Sequence, residues 1–224
     1  MAGKLFIVAT PIGNLSDITF RAVETLKTVD LVAAEDTRTS SVLLKHYGIS
    51  KPMISFHSYS GPGREQEIVS KMAGGSSVAL ITDAGTPGIS DPGYTLIHDA
   101  LNHGIEVVPI PGPTAFVTGL SASGLRTDRF VFEGFLPLKK GRQKKLQQLS
   151  SESRTVVLYE SPHRIDKMLA ELQKYFGERR CVVCRELTKI HESFYRGTLS
   201  EVPAMIGSSE KRGEFVIVIE GTEG

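Results

Sequence analysis

Five short apolar runs, at 4–10, 30–34, 52–56, 77–82 and 105–110, alternate with segments of helical periodicity at about 18–29, 37–47, 63–73, 92–103 and 114–122. Parallel strands need a crossover between them, and a helix is the crossover that also covers a sheet face, so this alternation predicts βαβ units around a mostly parallel sheet. The first half therefore reads as a doubly wound α/β domain. In its second helical segment Ser40, Leu43, Leu44 and Tyr47 share one face, and Gly48 stands where a C-terminal cap is needed.

Small and polar residues interrupt the pattern at Ser121-Ala-Ser-Gly-Leu-Arg-Thr-Asp128, which places a domain boundary there and predicts domains at 1–122 and 123–224. Strands follow near 130–134, 154–159, 180–186, 192–198 and 214–220, with helices near 141–150, 162–175 and 199–206. The later strands lack intervening helices, so the second half reads as α+β with a mixed sheet whose end is antiparallel. A chain of 224 residues has room for both domains. Its formal charge of +1 argues against a globally basic nucleic-acid coat while allowing a local basic surface. No apolar run has the length of a membrane span, and Met1-Ala-Gly-Lys leads straight into a strand, so a cytoplasmic protein without a membrane partner is expected.

Function is written most plainly where strands end. The run Ser77-Val-Ala-Leu-Ile-Thr82 stops at Asp83-Ala-Gly-Thr-Pro-Gly-Ile-Ser-Asp-Pro-Gly-Tyr94. Glycines there let main-chain groups approach a ligand closely, prolines fix the path, and Asp83 and Asp91 can accept from hydroxyls or a cation. An ordinary strand-to-helix turn with Asp91 as N-cap and Pro92 at the first helical position is the plain alternative. Similar loops end other runs, at Pro11-Ile-Gly13-Asn14, Pro111-Gly-Pro-Thr-Ala115 and Glu160-Ser-Pro-His-Arg164. In an open α/β sheet ligands sit outside the carboxyl ends of the strands, so such a set of loops predicts a shared cleft. Gly-x-Gly-x-x-Gly after the first strand and Gly-x-x-x-x-Gly-Lys-Ser/Thr are both missing, which argues against a standard dinucleotide site and a P-loop.

Charged segments cluster at the same edges. Glu35-Asp-Thr-Arg38 follows the second strand and can position a polar substrate or take a proton from it; capping by Asp36 or Thr37 is the alternative. Lys139-Lys-Gly-Arg-Gln-Lys-Lys145 carries five positive charges in seven residues at the start of a helix, which suits RNA phosphates or simply a solvated face. Charges in Glu160-Ser-Pro-His-Arg164 and Arg185-Glu-Leu-Thr-Lys189 face substrate if the domains close on each other, and otherwise form surface ion pairs. His57, near Gly61-Pro-Gly-Arg64, is read as structural. Cys181 and Cys184 form a CxxC inside a strand, where positions three apart face opposite ways, and no second pair completes a metal set; structural thiols and no metal are expected.

Seven segments then agree in order and spacing: Ala9-Thr-Pro-Ile-Gly-Asn-Leu15, Ala34-Glu-Asp-Thr-Arg38, Thr82-Asp-Ala-Gly-Thr-Pro87, Asp91-Pro-Gly-Tyr94, Pro111-Gly-Pro-Thr114, Tyr159-Glu-Ser-Pro-His-Arg164 and Arg185-Glu-Leu-Thr-Lys189. On them, the chain resembles the tetrapyrrole methylase family from about Leu5 to Gly221, and within it the branch that methylates small-subunit ribosomal RNA. The resemblance implies a two-domain homodimer with its cofactor in a cleft between the domains. The implied activity is S-adenosylmethionine-dependent methylation of the ribose 2′-hydroxyl of a cytidine in the decoding region of 16S rRNA, within the small ribosomal subunit. By position it gives cofactor roles to Pro11, Asp83, Ala84, Gly85, Ile89, Ser90, Asp91, Thr114, Ala115, Glu160 and Val216. It also implies a small helical segment beyond Glu214-Phe-Val-Ile-Val-Ile-Glu220, where this chain ends at Gly224.

For such a transfer Asp36 is the expected general base, with Glu35 as competitor, Arg38 orienting a phosphate or base edge, and Arg164, Lys144 and Lys145 on the substrate. Two other readings compete: a corrinoid or porphyrin C-methyltransferase, and a non-catalytic RNA-binding ribosome assembly factor. The basic cluster and the Glu-Asp-Thr-Arg segment favour a phosphate-rich partner over a macrocycle.

Overall fold

Every strand pairing in the first sheet is parallel. In this computed structural model, which describes residues 2–207 and 213–222, strands β1 (Lys4–Val8), β2 (Leu31–Ala34), β3 (Met53–Ser55), β4 (Val78–Ile81) and β5 (Glu106–Ile110) run in the order β3-β2-β4-β1-β5. All four residues of β4 are buried, as an inner parallel strand covered on both faces requires. Because side chains alternate across a strand, each sheet face collects its own core. Helices α1 (Phe20–Thr28) and α2 (Thr37–His46) lay Ala22, Leu26 and Leu44 on Val8, Val32, Ala34 and Ile81. Helices α3 (Pro62–Ala73) and α4 (Tyr94–Asn102) lay Ile68, Met72, Leu96 and Ala100 on Leu5, Ala33, Val78 and Leu80 of the opposite face. The doubly wound expectation holds, and the sheet is wholly parallel rather than mostly so. In α2, Ser40, Leu43 and Leu44 are buried; Tyr47 is the cap residue and Gly48 follows it with φ +64°, one step later than expected.

This winding decides where a ligand belongs. β1 and β4 are neighbours, yet β1 leads into α1 on one face and β4 leads into α4 on the other. Their carboxyl ends flank the point where the connections diverge, the position at which open α/β sheets bind ligands.

The contacts divide the chain into two units, Met1–Thr114 and Ala115–Gly224. In the second, β6 (Phe130–Phe135), β7 (Thr155–Glu160), β8 (Arg180–Arg185), β9 (Ser193–Thr198) and β10 (Phe215–Ile219) form a sheet in the order β6-β7-β10-β8-β9. Only β6 and β7 pair in parallel; the other pairings are antiparallel, which is the mixed sheet expected. One face packs Leu158, Val183 and Ile217 against Leu146 of α6 (Arg142–Leu149), Met168 and Leu172 of α7 (Ile165–Phe176) and Val202 of α8 (Val202–Met205).

Helix α5 (Ala115–Ser121), expected to complete the first half, belongs to this second unit. Its anchor is Gly119: a Cβ there would stand 3.1 Å from Val216 Cγ1 and 3.2 Å from Cys184 Sγ, tighter than ordinary contact, so the missing side chain lets the helix lie close to β10 and β8 without displacing them. Composition placed the boundary at the small residues near 121–128, whereas the contacts place it before α5, at Thr114. Cys181 sits in the core on the opposite face, among the residues packed under α6 to α8. Both thiols are free and buried, and burial pushes each up to about 12, so they are protonated at neutral pH.

Gly119→Val is expected to lower unfolding stability by about 1–3 kcal/mol through overpacking, read as a reduced urea midpoint with an unchanged m-value; an unchanged midpoint would show that α5 does not need this close approach.

Candidate functional site

The ends of β1 and β4 are tied together by main-chain bonds. Thr10 N–H donates to Gly85 O at 2.8 Å, Gly85 N–H returns a bond to Thr10 O at 3.0 Å, and Thr10 Oγ donates to Thr82 O at 3.0 Å. Gly85 makes this turn with φ +86°, a conformation that side chains with a Cβ rarely adopt. The loop then folds on itself: Gly88 N–H donates to Pro92 O at 3.1 Å, and a Cβ on Gly93 would stand 2.9 Å from Gly88 N. Gly93, not Asp91, is the cap residue of α4, and no side-chain cap bond is made there. Ser90 is held at φ +64°, a strained position for a residue with a side chain, in the segment that carries Ile89 and Asp91. From the end of β5, Thr114 Oγ meets Thr86 Oγ at 2.7 Å, while Thr86 Oγ also lies 3.3 Å from Pro113 O. Pro11, Asp83, Ala84, Gly85, Ile89, Ser90, Asp91 and Thr114 thus share one rim of the first unit. Closely approachable main-chain groups with two aspartates form a set that fits ribose hydroxyls and an ammonium group.

Beside this rim, β2 delivers three ionisable groups. Asp36 caps α2: its Oδ1 accepts from Arg38 N–H at 2.8 Å, while Oδ2 pairs with Arg38 Nη2 at 2.7 Å. The Arg38 guanidinium holds the Asp36 carboxyl down at about 2. Glu35 and Asp83 are cross-linked by main chain: Asp83 N–H donates to Glu35 Oε2 at 3.3 Å, and Asp36 N–H donates to Asp83 Oδ1 at 3.2 Å. Burial pushes the Glu35 carboxyl above its ordinary value of 4.5, against the opposing pull of the Asp83 N–H. Burial raises Asp83 as well, opposed by the Asp36 N–H. The arrangement separates two neighbouring carboxylates: Asp36 is a weak base engaged by a cap and a cation, whereas Glu35 is the stronger base. The Arg38 side chain is 90% exposed, so its outer face is open to an anion.

The remaining candidates lie in the second unit. Ala115 opens α5, and Val216 is core, packed under Gly119. Glu160 has a fully buried carboxylate. Its Oε1 pairs with Arg164 Nη2 at 2.7 Å and accepts from Ser161 N–H at 2.7 Å, while Oε2 accepts no hydrogen bond and faces Arg142 Nη2 at 4.0 Å. Arg142 in turn pairs with Glu171 at 2.7 Å. The basic segment is therefore not one surface. Arg142 is buried, Lys145 pairs with Glu133 at 2.8 Å, and Lys139, Lys140 and Lys144 are exposed. The inward role of Arg142 was signalled by its spacing to Leu146 and Leu149, all three buried on one stripe of α6. Further along, Lys189 bridges Glu186 and Glu214 at 2.9 and 3.0 Å, and Arg185 is buried with Nη1 on His191 O.

Comparison with known proteins shows the family and the fold. The family model of the tetrapyrrole (corrin/porphyrin) methylases matches residues 4–203. The chain is 54% identical over 98% of its length to the ribosomal RNA small subunit methyltransferase I of Synechocystis, covering 79% of that protein. It is 44% identical to the protein of the same name from Thermotoga maritima, covering 99% of this chain and 100% of that one. The fold is also that of uroporphyrin-III C-methyltransferase from Thermus thermophilus, solved with S-adenosylhomocysteine, with TM-score 0.68, 17% identity and 97% of each chain aligned.

Removing one partner of a buried ion network strands the others. Arg142→Ala is expected to cost about 3 kcal/mol, the low end of the range for broken buried pairs because Arg164 still pairs with Glu160. Lys144→Ala, two residues away, should leave the denaturant midpoint unchanged; equal effects would show that Arg142 is not internal.

Proposed function

The chain belongs to the tetrapyrrole (corrin/porphyrin) methylase family, and we propose that it is a small-subunit ribosomal RNA methyltransferase that uses S-adenosylmethionine to methylate the ribose 2′-hydroxyl of a cytidine in the decoding region of 16S rRNA. The coarser part of this reading, a methyltransferase acting on small-subunit rRNA, is supported by relatives so named at 44–54% identity over nearly the whole chain. The hydroxyl as methyl acceptor is supported by one feature above all, a half-buried carboxylate of raised basicity, Glu35, bonded to the loop that follows β4; the cytidine and the decoding region follow from the family resemblance alone.

When bound, S-adenosylmethionine supplies an electrophilic methyl group on a sulfonium. The loops after β1, β4 and β5 carry the groups that fit it, with Asp83 and Asp91 as acceptors and the Thr10–Gly85 bridge fixing the turn. A ribose hydroxyl is a poor nucleophile until its proton leaves. Glu35 in its carboxylate form takes that proton. Asp36, held near 2 by Arg38, is too weak a base for the role and instead fixes the start of α2 and the guanidinium. Arg38, with its outer face exposed, receives a phosphate or base edge of the RNA. Positioning of the hydroxyl in line with the methyl carbon and sulfur contributes much of the rate.

Tritiated methyl transfer to 30S subunits, to naked 16S rRNA and to a precorrin separates the readings. Label is expected on 30S subunits and, after nuclease digestion, in 2′-O-methylcytidine. Label on the precorrin would move the chain to macrocycle chemistry, and 30S binding without label would make it an assembly factor. Glu35→Gln should lower kcat by about 10²–10⁴ with unchanged S-adenosylmethionine affinity. Because burial raises the Glu35 carboxyl above 4.5, the base form is populated only as pH rises through that higher value. The wild-type rate should therefore climb along a limb centred above 4.5 that is absent from Glu35→Gln.

The exposed lysines make a second test of the RNA partner. Replacing Lys139, Lys140 and Lys144 together by alanine should reduce the slope of log affinity against log salt by about 0.7–0.9 for each phosphate that is no longer neutralised. Lys145→Ala, which removes a residue already paired with Glu133, should change it less.

A further inference from the structure

The edge of the first sheet carries a cavity that the roles above do not use. It lies where β3 ends and α3 begins, has a volume of about 440 Å³, and is lined by His57, Ser60, Gly61, Arg64 and Glu67 among others. That volume falls within the range of about 300–1,000 Å³ typical of small-ligand sites.

The loop after β3 builds the rim of this cavity. His57 N–H donates to Ser60 Oγ at 2.9 Å and Ser60 N–H donates to His57 O at 2.8 Å, closing a tight turn. Tyr59 N–H donates to His57 Nδ1 at 3.2 Å. With Nδ1 accepting, the neutral imidazole carries its hydrogen on Nε2, which makes that atom a donor. Tyr59 itself is 93% exposed, with its ring centroid 6.4 Å from that of His57. On the opposite wall Arg64 Nη1 pairs with Glu67 Oε2 at 2.7 Å, both side chains more than a third exposed. A surface pair of this kind contributes little, so an incoming phosphate can take Glu67's place on the guanidinium.

The cavity lies at the end of β3, beside the strand that leads into Glu35. Phe56 N–H donates to Ala34 O at 2.8 Å, so β3 ends level with β2, whose next residues are Glu35 and Asp36. A guanidinium and an imidazole donor lining a nucleotide-sized hollow, with the exposed Tyr59 ring beside the lining His57, are groups that recognise unpaired RNA: the base stacks and the phosphate is neutralised.

We propose that this cavity binds a nucleotide of single-stranded RNA adjoining the one that is methylated, its base stacked on Tyr59 and its phosphate held by Arg64 and His57 Nε2. The proposal rests on the rRNA reading and adds a second nucleotide to it.

Binding of 30S subunits, measured with S-adenosylhomocysteine present, tests it without requiring turnover. Tyr59→Ala should weaken binding about tenfold and Tyr59→Phe should retain wild-type affinity. Arg64→Gln should reduce the salt slope by about 0.7. Irradiation of the Tyr59→p-benzoylphenylalanine variant on 30S subunits should cross-link to 16S rRNA. Unchanged affinity in Tyr59→Ala overturns the proposal, as does a cross-link to a ribosomal protein only, which would assign the face to a protein partner. The functional reading fails separately: a wild-type protein that binds 30S subunits but transfers no methyl group defeats it, while the ratio of Tyr59→Ala to wild-type binding still decides the cavity.

Discussion

The bridge between Thr10 and Gly85 is the constraint on which the candidate site depends. Two parallel strands whose connections leave toward opposite faces open a crevice at their carboxyl ends, and left alone their loops would diverge. Reciprocal main-chain bonds at 2.8 and 3.0 Å stop that divergence just beyond β1. Since Gly85 meets this demand only at positive φ, the glycine-rich composition of the loop is a consequence of the bridge as much as of any ligand. Everything downstream, from the turn at Gly88 and Gly93 to the contact of Thr86 with Thr114, is positioned from that fixed point.

A second consequence is electrostatic. Glu35, Asp36 and Asp83 come within reach of one another because β2 and β4 are adjacent, and three carboxylates together would repel. The structure resolves this by giving them different partners. Arg38 neutralises Asp36, the Asp36 N–H serves Asp83, and the Asp83 N–H serves Glu35. Neighbouring carboxylates pushed to different strengths in this way are the usual means by which one site obtains both a charged anchor and a usable base.

Much of this was legible in the sequence, and the reasons are specific. The strands ending at Val8, Ala34, Ile81 and Ile110 lie in a parallel sheet covered on both faces, so they read as apolar runs, and the prolines and glycines that follow Val8, Ile81 and Ile110 marked the loops that gather at one rim. The assignment of α5 was not legible, because its membership depends on Gly119 meeting Val216 and Cys184, residues far away in sequence. Charge counting misled at 139–145. A run of cations looks like one surface, yet helical spacing carries Arg142 inward with Leu146 and Leu149 while Glu133 captures Lys145. The choice between Glu35 and Asp36 could not be made from types alone, since two adjacent acids differ only through what caps the helix and what is buried. The cavity after β3 left only a faint trace, a histidine just before Gly61-Pro-Gly-Arg64.

The rim of the first sheet is divided along its length by residue type, and the division has a physical logic. Toward β1, β4 and β5 the loops are rich in glycine and proline with short side chains, so the surface offered there is largely main chain, which is rigid and closely approachable. Toward β2 and β3 the same rim carries Glu35, Arg38, His57, Tyr59 and Arg64, groups that reach outward and titrate or stack. A small ligand whose position must be exact suits the first region, since main-chain contacts lose little conformational entropy on binding. A polymer that arrives with many charges and leaves after each turnover suits the second, where exposed, screened contacts steer and release it. Glu35 belongs to both: its carboxylate is fixed by a main-chain bond from the β4 loop, while its own strand opens toward the ionisable flank. A carboxylate at that junction is held from the rigid side and stays open toward the ionisable one.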